Sequence, residues 1–257
     1  PAQHQLTYQS LARRTKEQGH QKVAGWLERR QHRWEAAHAT IAAHYQAGRR
    51  HDLARPFHLL AARAAAAVGA YQTAAVSYGQ ALHSWPEAEL LERAAVQRER
   101  AVALTRAGEY AKALDAIASA KADIQAADAM DRETKASLIM GEARILKAQG
   151  KTDECLARLD EGLEAAQDGP PHLLEAEILA EQAFQYLQQG NSGVTHKLCR
   201  RATAITSQLA DSPECLLCNA KIADTLGGMG FFDSELDEAE RQFSKALSLR
   251  EEAGSLR

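Results

Sequence analysis

Long apolar runs are absent from this chain of 257 residues. No stretch approaches the roughly 18 apolar residues that cross a bilayer, so neither a membrane span nor a membrane partner is expected. Period-two alternation rich in Val, Ile and Thr is missing as well, and with it any reason to expect strands. Aromatic residues make up only 5% of the chain, and there are only six prolines. Alanine is the largest contributor to the apolar share, a composition that favours helices packed closely through small side chains. Only four cysteines are present, without a signal-peptide pattern, which points to a reducing, cytoplasmic compartment. A large excess of one charge is missing too. The net charge of −3 gives no global attraction to nucleic acid or to a membrane surface.

The charges that are present are unevenly placed. Residues 1–60 carry ten Lys and Arg against four Asp and Glu, a net of +6, together with seven of the ten histidines. Residues 211–257 carry five against ten, a net of −5. Solvated helix faces account for much of this. Contact between copies through the basic and acidic ends, or a basic end that meets a polyanion, would use the rest.

Glycine punctuates the chain. Gly69, Gly108, Gly150, Gly190 and Gly230 are spaced by 39, 42, 40 and 40 residues. Each closes one apolar-periodic segment and opens another, as in "LTRAGEYAKALDAI" and "LKAQGKTDECLARL". Glycine adopts the left-handed conformation that ends a helix, and stops at regular spacing are the mark of a helical array. The segments predict helices over 5–18, 20–32, 34–47, 51–67, 71–84, 88–107, 110–127, 131–149, 152–167, 172–189, 193–210, 213–228 and 235–252. Pro86, Pro170–Pro171 and Pro213 fall at or near helix starts, and Ser212 is placed to cap the helix that begins at Pro213. Residues 1–50 then lead into repeats over 51–86, 88–128, 131–168, 172–210 and 213–252.

These segments resemble the tetratricopeptide family. "VGAYQTAAVSYGQALHSWP" carries Gly69 and Tyr71 at the turn, Ala74, Tyr78 and Ala81 down the second helix, and Pro86 at its close. The corresponding second-helix sets are Ala113, Ile117 and Ala120; Cys155, Leu159 and Gly162; Thr195, Cys199 and Ala202. The small residue of the first helices falls on Ala62, Ala101, Ala143, Ala183 and Ala223. The last repeat departs from the pattern. Its first helix fits a turn at Gly230, whereas its second, with Ala239, Phe243 and Ala246, fits a turn near Ser234, about four residues later. The family repeat is about 34 residues and this one is nearer forty. The resemblance implies an all-α fold, a right-handed superhelical array of antiparallel helix hairpins, with no catalytic activity and no cofactor. More narrowly, Ile41–Leu82 is similar to the helical sensor arrays of bacterial STAND-type ATPases and cyclase- or kinase-linked regulators. That likeness implies a scaffold or sensor region of a larger regulatory protein.

Three motifs invite chemistry. "GKT" at Gly150–Thr152 lacks the upstream glycine of a phosphate loop, because Ile145 stands there. His196, Cys199, Cys215 and Cys218 read H-x2-C-x15-C-x2-C, close to a structural zinc spacing. If the chain reverses near Asp211, however, Cys199 lies about five residues along the axis from Cys218, roughly 7 Å at 1.5 Å per residue. Zinc–thiolate bonds are about 2.3 Å, so no metal is expected. Cys215 and Cys218 alone make a Cys-x-x-Cys pair at a helix start, where thiols are acidified, but without the strand that precedes redox pairs. His38, His44, His51 and His58 read as packing or surface residues.

In the tetratricopeptide family, ligands meet exposed first-helix positions. Carried over, these are Arg63; Arg98 and Thr105; Met140, Arg144 and Lys147; Phe184 and Leu187. The resemblance thus implies a groove that is basic at first and then apolar, suited to a protein or peptide, with acidic groups facing the cations and Phe184 as an anchor.

Overall fold

The computed structural model describes residues 11–30, 37–83, 85–86, 88–166, 172–210 and 212–255. The described residues form twelve α-helices and no strand. In chain order these are α1 (Arg13–Glu28), α2 (His38–Ala47), α3 (His51–Ala67), α4 (Tyr71–Leu82), α5 (Leu90–Arg106), α6 (Tyr110–Ala126), α7 (Arg132–Ala148), α8 (Thr152–Ala166), α9 (Leu173–Gln188), α10 (Ser192–Thr206), α11 (Pro213–Phe232) and α12 (Leu236–Ser255). They divide into two compact units, Pro1–Ala129 and Met130–Arg257. The division falls between α6 and α7.

The hairpin turns follow one design. Gly69, Gly108, Gly150 and Gly190 have φ of 78, 79, 74 and 74°. After each, the next N–H reaches back five residues to a helix carbonyl: Ala70 to Ala65 at 2.8 Å, Glu109 to Leu104 at 2.9 Å, Lys151 to Leu146 at 3.0 Å, Asn191 to Tyr186 at 2.9 Å. This is the Schellman closure, and it satisfies carbonyls that a helix end would otherwise orphan. The fifth hairpin uses the same closure without glycine. Ser234 takes φ 62°, and Glu235 N–H donates to the Gly230 carbonyl at 2.7 Å.

Gly230 is therefore not a turn. It lies buried inside α11, which runs on to Phe232 and absorbs the extra residues of the last repeat as one more helical turn. A Cβ at Gly230 would stand 3.2 Å from the Ala239 nitrogen, so glycine here permits close approach of the α12 backbone. Gly19 is a second departure from the glycine rule. The chain was expected to break there, yet α1 passes straight through it. Its φ is not positive, and nothing lies within 4 Å of a Cβ at that position. An exposed mid-helix glycine costs about 1 kcal/mol relative to alanine, which does not by itself end a helix. The parts of the expected helices over 5–10 and 31–36, along with Pro170–Pro171 and Asp211, lie outside the described residues.

Helix starts are capped where the sequence offers a cap. Ser212 Oγ accepts from Cys215 N–H at 3.1 Å, with Pro213 in the first turn. Asp131 accepts from Thr134 N–H at 2.7 Å and Asn191 from Val194 N–H at 3.2 Å. Inside the hairpins, Ala62, Ala101, Ala143, Ala183 and Ala223 are all buried, and so are the second-helix residues of the first four repeats. In the second unit, Met140, Cys155 and Leu159 pack with Ile178, while Cys199 and Ala202 pack with Cys218 and Ile222.

Candidate functional site

The first helices of the second unit, α7, α9 and α11, bring a group of charged side chains together. Arg144 and Lys147 are three apart on α7 and share a face. Glu177, Glu181 and Phe184, at i, i+4 and i+7, share a face of α9. Arg144 Nη2 donates to Glu177 at 3.3 Å and Lys147 Nζ to Glu181 at 2.5 Å. Lys221 of α11 donates to the other Glu181 oxygen. Lys147 Nζ also sits 4.3 Å from the centroid of the Phe184 ring.

Glu181 is only 2% exposed, while the lysine side chains on either side keep about a third of their surface, at 34% and 32%. Burial alone would push the Glu181 carboxyl up. The Lys221 and Lys147 ammoniums outweigh burial and hold it at about 2. Lys221 itself is pushed down by burial, with Glu181 opposing. Three cations against two carboxylates leave one positive charge in surplus, beside an aromatic face and partly open to solvent. An arrangement of this kind takes one further carboxylate next to an apolar group.

The first unit repeats the pairing principle. Arg63 of α3 binds Glu99 of α5 through two hydrogen bonds of 3.0 and 2.8 Å, and Tyr78 O–H donates to the same carboxylate at 2.7 Å. Arg55 of α3 meets Glu89, at the start of α5, at 3.0 Å. In Arg55–Glu89, Arg63–Glu99, Arg144–Glu177 and Lys147–Glu181 the partners lie 33–36 residues apart. A cation on one first helix meets a carboxylate at or on the next.

This geometry alters the expected groove. Arg63, Arg144 and Lys147 are where the sequence places them, but each is neutralised by a carboxylate from the following first helix. Arg98 is exposed, and Thr105 turns its hydroxyl back to the Ala101 carbonyl at 2.7 Å. Met140 and Leu187 do not line an open face. Both are buried, because their faces of α7 and α9 turn toward the packed interior. Glu99, Glu177, Glu181 and Lys221 were not singled out in the sequence. Their signal is the recurring separation of about one repeat between opposite charges.

The zinc-like set does not converge. His196 is exposed, whereas Cys199 and Cys218 lie in an apolar cluster with Ala202 and Ile222. Burial pushes both thiols up to about 12, so neither offers a thiolate at neutral pH. Cys215 is buried, its sulfur 3.8 Å from the Thr206 carbonyl and 3.9 Å from Asn219 Nδ2. Among the described residues no group of three or more His, Cys, Asp or Glu is arranged to hold a metal. At Gly150–Thr152 the glycine forms the hairpin turn and Lys151 pairs with Glu154 at 3.1 Å. No helix among the described residues is long and apolar enough to cross a membrane.

No family profile matches the sequence, and no curated protein does. Solved structures do. Kinesin-light-chain TPR-like repeats from Podosopora anserina share 18% identity at a TM-score of 0.51, covering 76% of this chain and 93% of theirs. The fold is tetratricopeptide-like. BtubC from P. vanneervenii matches this tetratricopeptide-like array over 96% of the chain and 94% of its own, at 15% identity and a TM-score of 0.54. A Rap protein complexed with competence and sporulation factor matches over 98% of the chain and 79% of its own, at 12% identity and a TM-score of 0.53. At these identities the likeness establishes the fold alone.

Proposed function

We propose that the chain is a non-enzymatic scaffold that binds a protein or peptide segment on the first-helix face of its second unit. The observation that carries this reading is the Lys147–Glu181–Lys221 cluster beside Phe184. A buried carboxylate clamped by two ammoniums is a poor device for stability alone, since desolvation consumes most of the Coulombic gain. It is a good device for holding two lysine heads in fixed positions at a surface. The surplus charge suits an acidic residue of the ligand, and Phe184 suits an apolar neighbour of that residue. That one structural neighbour, the Rap protein, was solved with a bound factor supports a ligand-binding use of this fold. The likeness of Ile41–Leu82 to sensor arrays supports a place within a larger bacterial regulatory protein, in the cytoplasm.

Selection from a random peptide display library tests the reading. Peptides enriched on the wild type are expected to pair an Asp or Glu with an apolar residue, and Arg144→Glu/Lys147→Glu is expected to lose them. If the same peptides enrich on both proteins, the face is wrong. The competing reading is a polyanion bound by the basic N-terminal helices. It predicts instead that affinity for nucleic acid falls steeply with salt and is indifferent to Lys147.

A further inference from the structure

The α7–α8 hairpin carries a cleft that the first-helix face does not use. Arg132, Lys135 and Ile139 lie at i, i+3 and i+7 on one face of α7. That face is turned roughly 120° around the helix from Arg144 and Lys147. Across from it, Glu161, Glu164 and Ala165 share a face of α8. The two helices run antiparallel, so the start of α7 stands beside the end of α8. Between the two stripes lies a cleft of about 460 Å³. Small-molecule sites span about 300–1,000 Å³.

The floor of the cleft is apolar, and Gly162 sets its depth. A Cβ at Gly162 would stand 3.4 Å from Ile139 Cγ2 and 3.5 Å from Ile178 Cδ1, so the missing side chain lets Ile139 sit against α8. The walls are charged. Two of the lining acids are engaged: Asp131 accepts from Thr134 N–H at 2.7 Å, and Glu161 takes Arg158 at 2.7 Å. The side chains of Arg132, Lys135 and Glu164 make no ion pair or hydrogen bond among the described residues. Two cations thus stand on one wall and a carboxylate on the other. The cleft keeps them from closing on each other, since no such pair comes within 4.0 Å.

We infer that this cleft binds a free α-amino acid with an apolar side chain. The ligand carboxylate lies between Arg132 and Lys135, its ammonium meets Glu164, and its side chain covers Ile139 and Ala165. Every charged group of the ligand then meets a group of opposite sign that has no other partner. A ligand with one charge leaves a wall unmatched. A dianion suits the two cations but is repelled by Glu164 and Glu161, and a diamine is repelled by Arg132 and Lys135. Lys135 and Glu164 are exposed and Arg132 is half-buried. Binding is therefore weak, with Kd on the order of 1 mM, and raised salt weakens it further. The cleft lies apart from the proposed peptide face, so either site can fail without the other.

An NMR titration of the full chain tests this, with the Ile139 methyl signal assigned through Ile139→Val. The probes are leucine, phenylalanine, glycine, isocaproate (leucine without its ammonium) and isoamylamine (leucine without its carboxylate). Leucine and phenylalanine are expected to shift the Ile139 methyl saturably at millimolar concentration. Glycine, isocaproate and isoamylamine are expected to bind about tenfold more weakly or worse. Glu164→Gln and Arg132→Gln/Lys135→Gln are each expected to weaken leucine about tenfold, with unchanged circular dichroism and melts. Peptides selected on the first-helix face are expected to bind these variants as they bind the wild type. The inference is overturned if neither leucine nor phenylalanine gives a saturable shift. It is also overturned if isocaproate or isoamylamine binds as leucine does, or if the folded variants hold leucine with wild-type affinity.

Discussion

Glu181 is the residue on which the candidate site turns. Its folded pKa, about 2, lies below the ordinary value of 4.5. Between these values the unfolded chain binds more protons than the folded one. Glu181 therefore stabilises the second unit fully above about pH 4.5, and that contribution is lost as pH falls toward 2. Glu181→Gln is expected to flatten this acid limb in melts followed by far-UV circular dichroism. It also leaves Lys147 and Lys221 facing each other without the carboxylate. At neutral pH a loss of about 1–3 kcal/mol is expected, below the figure for a fully buried pair because both lysine heads reach solvent. Equal acid sensitivity in the variant would remove the residue from this role.

At the scale of the element, the turns distinguish positions that need glycine from positions that only tolerate it. Gly150 holds φ 74°, and Gly150→Ala forces a Cβ into the left-handed region at a cost of about 1–2 kcal/mol. Ser234 already bears such a cost at φ 62°. Ser234→Gly relieves it, and part of the gain is returned through the flexibility of glycine in the unfolded chain. A net stabilisation of about 0.5–1 kcal/mol is expected, read as a higher melting temperature. The two substitutions should move stability in opposite directions although both sit in the same closure. If both destabilise equally, the turn at Ser234 is not a Schellman closure.

At the scale of the molecule, the two units are expected to respond to acid at different pH. In the first unit, burial and then the charge of His20 lower the pKa of His44, whose Nδ1 is 2.8 Å from that of His20. Burial lowers that of His58, which is bonded to Gln46 at 3.0 Å. Both rings gain protons less readily in the fold than when unfolded. Stability of this unit is therefore lost as pH falls below about 6.5. In the second unit the contribution of Glu181 is lost only below about 4.5. All three tryptophans, Trp26, Trp34 and Trp85, belong to the first unit, so their fluorescence follows it alone. In an acid titration the tryptophan signal is expected to change before the final loss of helical circular dichroism. His44→Gln/His58→Gln is expected to shift the tryptophan transition to lower pH and leave the later one in place.

The sequence by itself determined the helices, the glycine closures and the small residues between helices. All three are local: a left-handed glycine, a 3.6-residue apolar period and an alanine at a crossing are each legible within a few residues. Local reading failed where the same residue type serves two purposes. Gly19 lies in the middle of a helix and Gly230 at a close crossing, and neither spacing nor residue type separates such glycines from those at turns. The site divided along the same line. Arg63, Arg144 and Lys147 were legible as first-helix cations, and Phe184 as an aromatic beside them. Their partners Glu99, Glu177, Glu181 and Lys221 were settled only when successive first helices came side by side. Met140 and Leu187 were assigned to the groove by register, but the interior claimed them, because which side of a helix is buried depends on the helices stacked against it. Tertiary structure decided the charge of the face and the burial of its members, since both are sums over residues about one repeat apart.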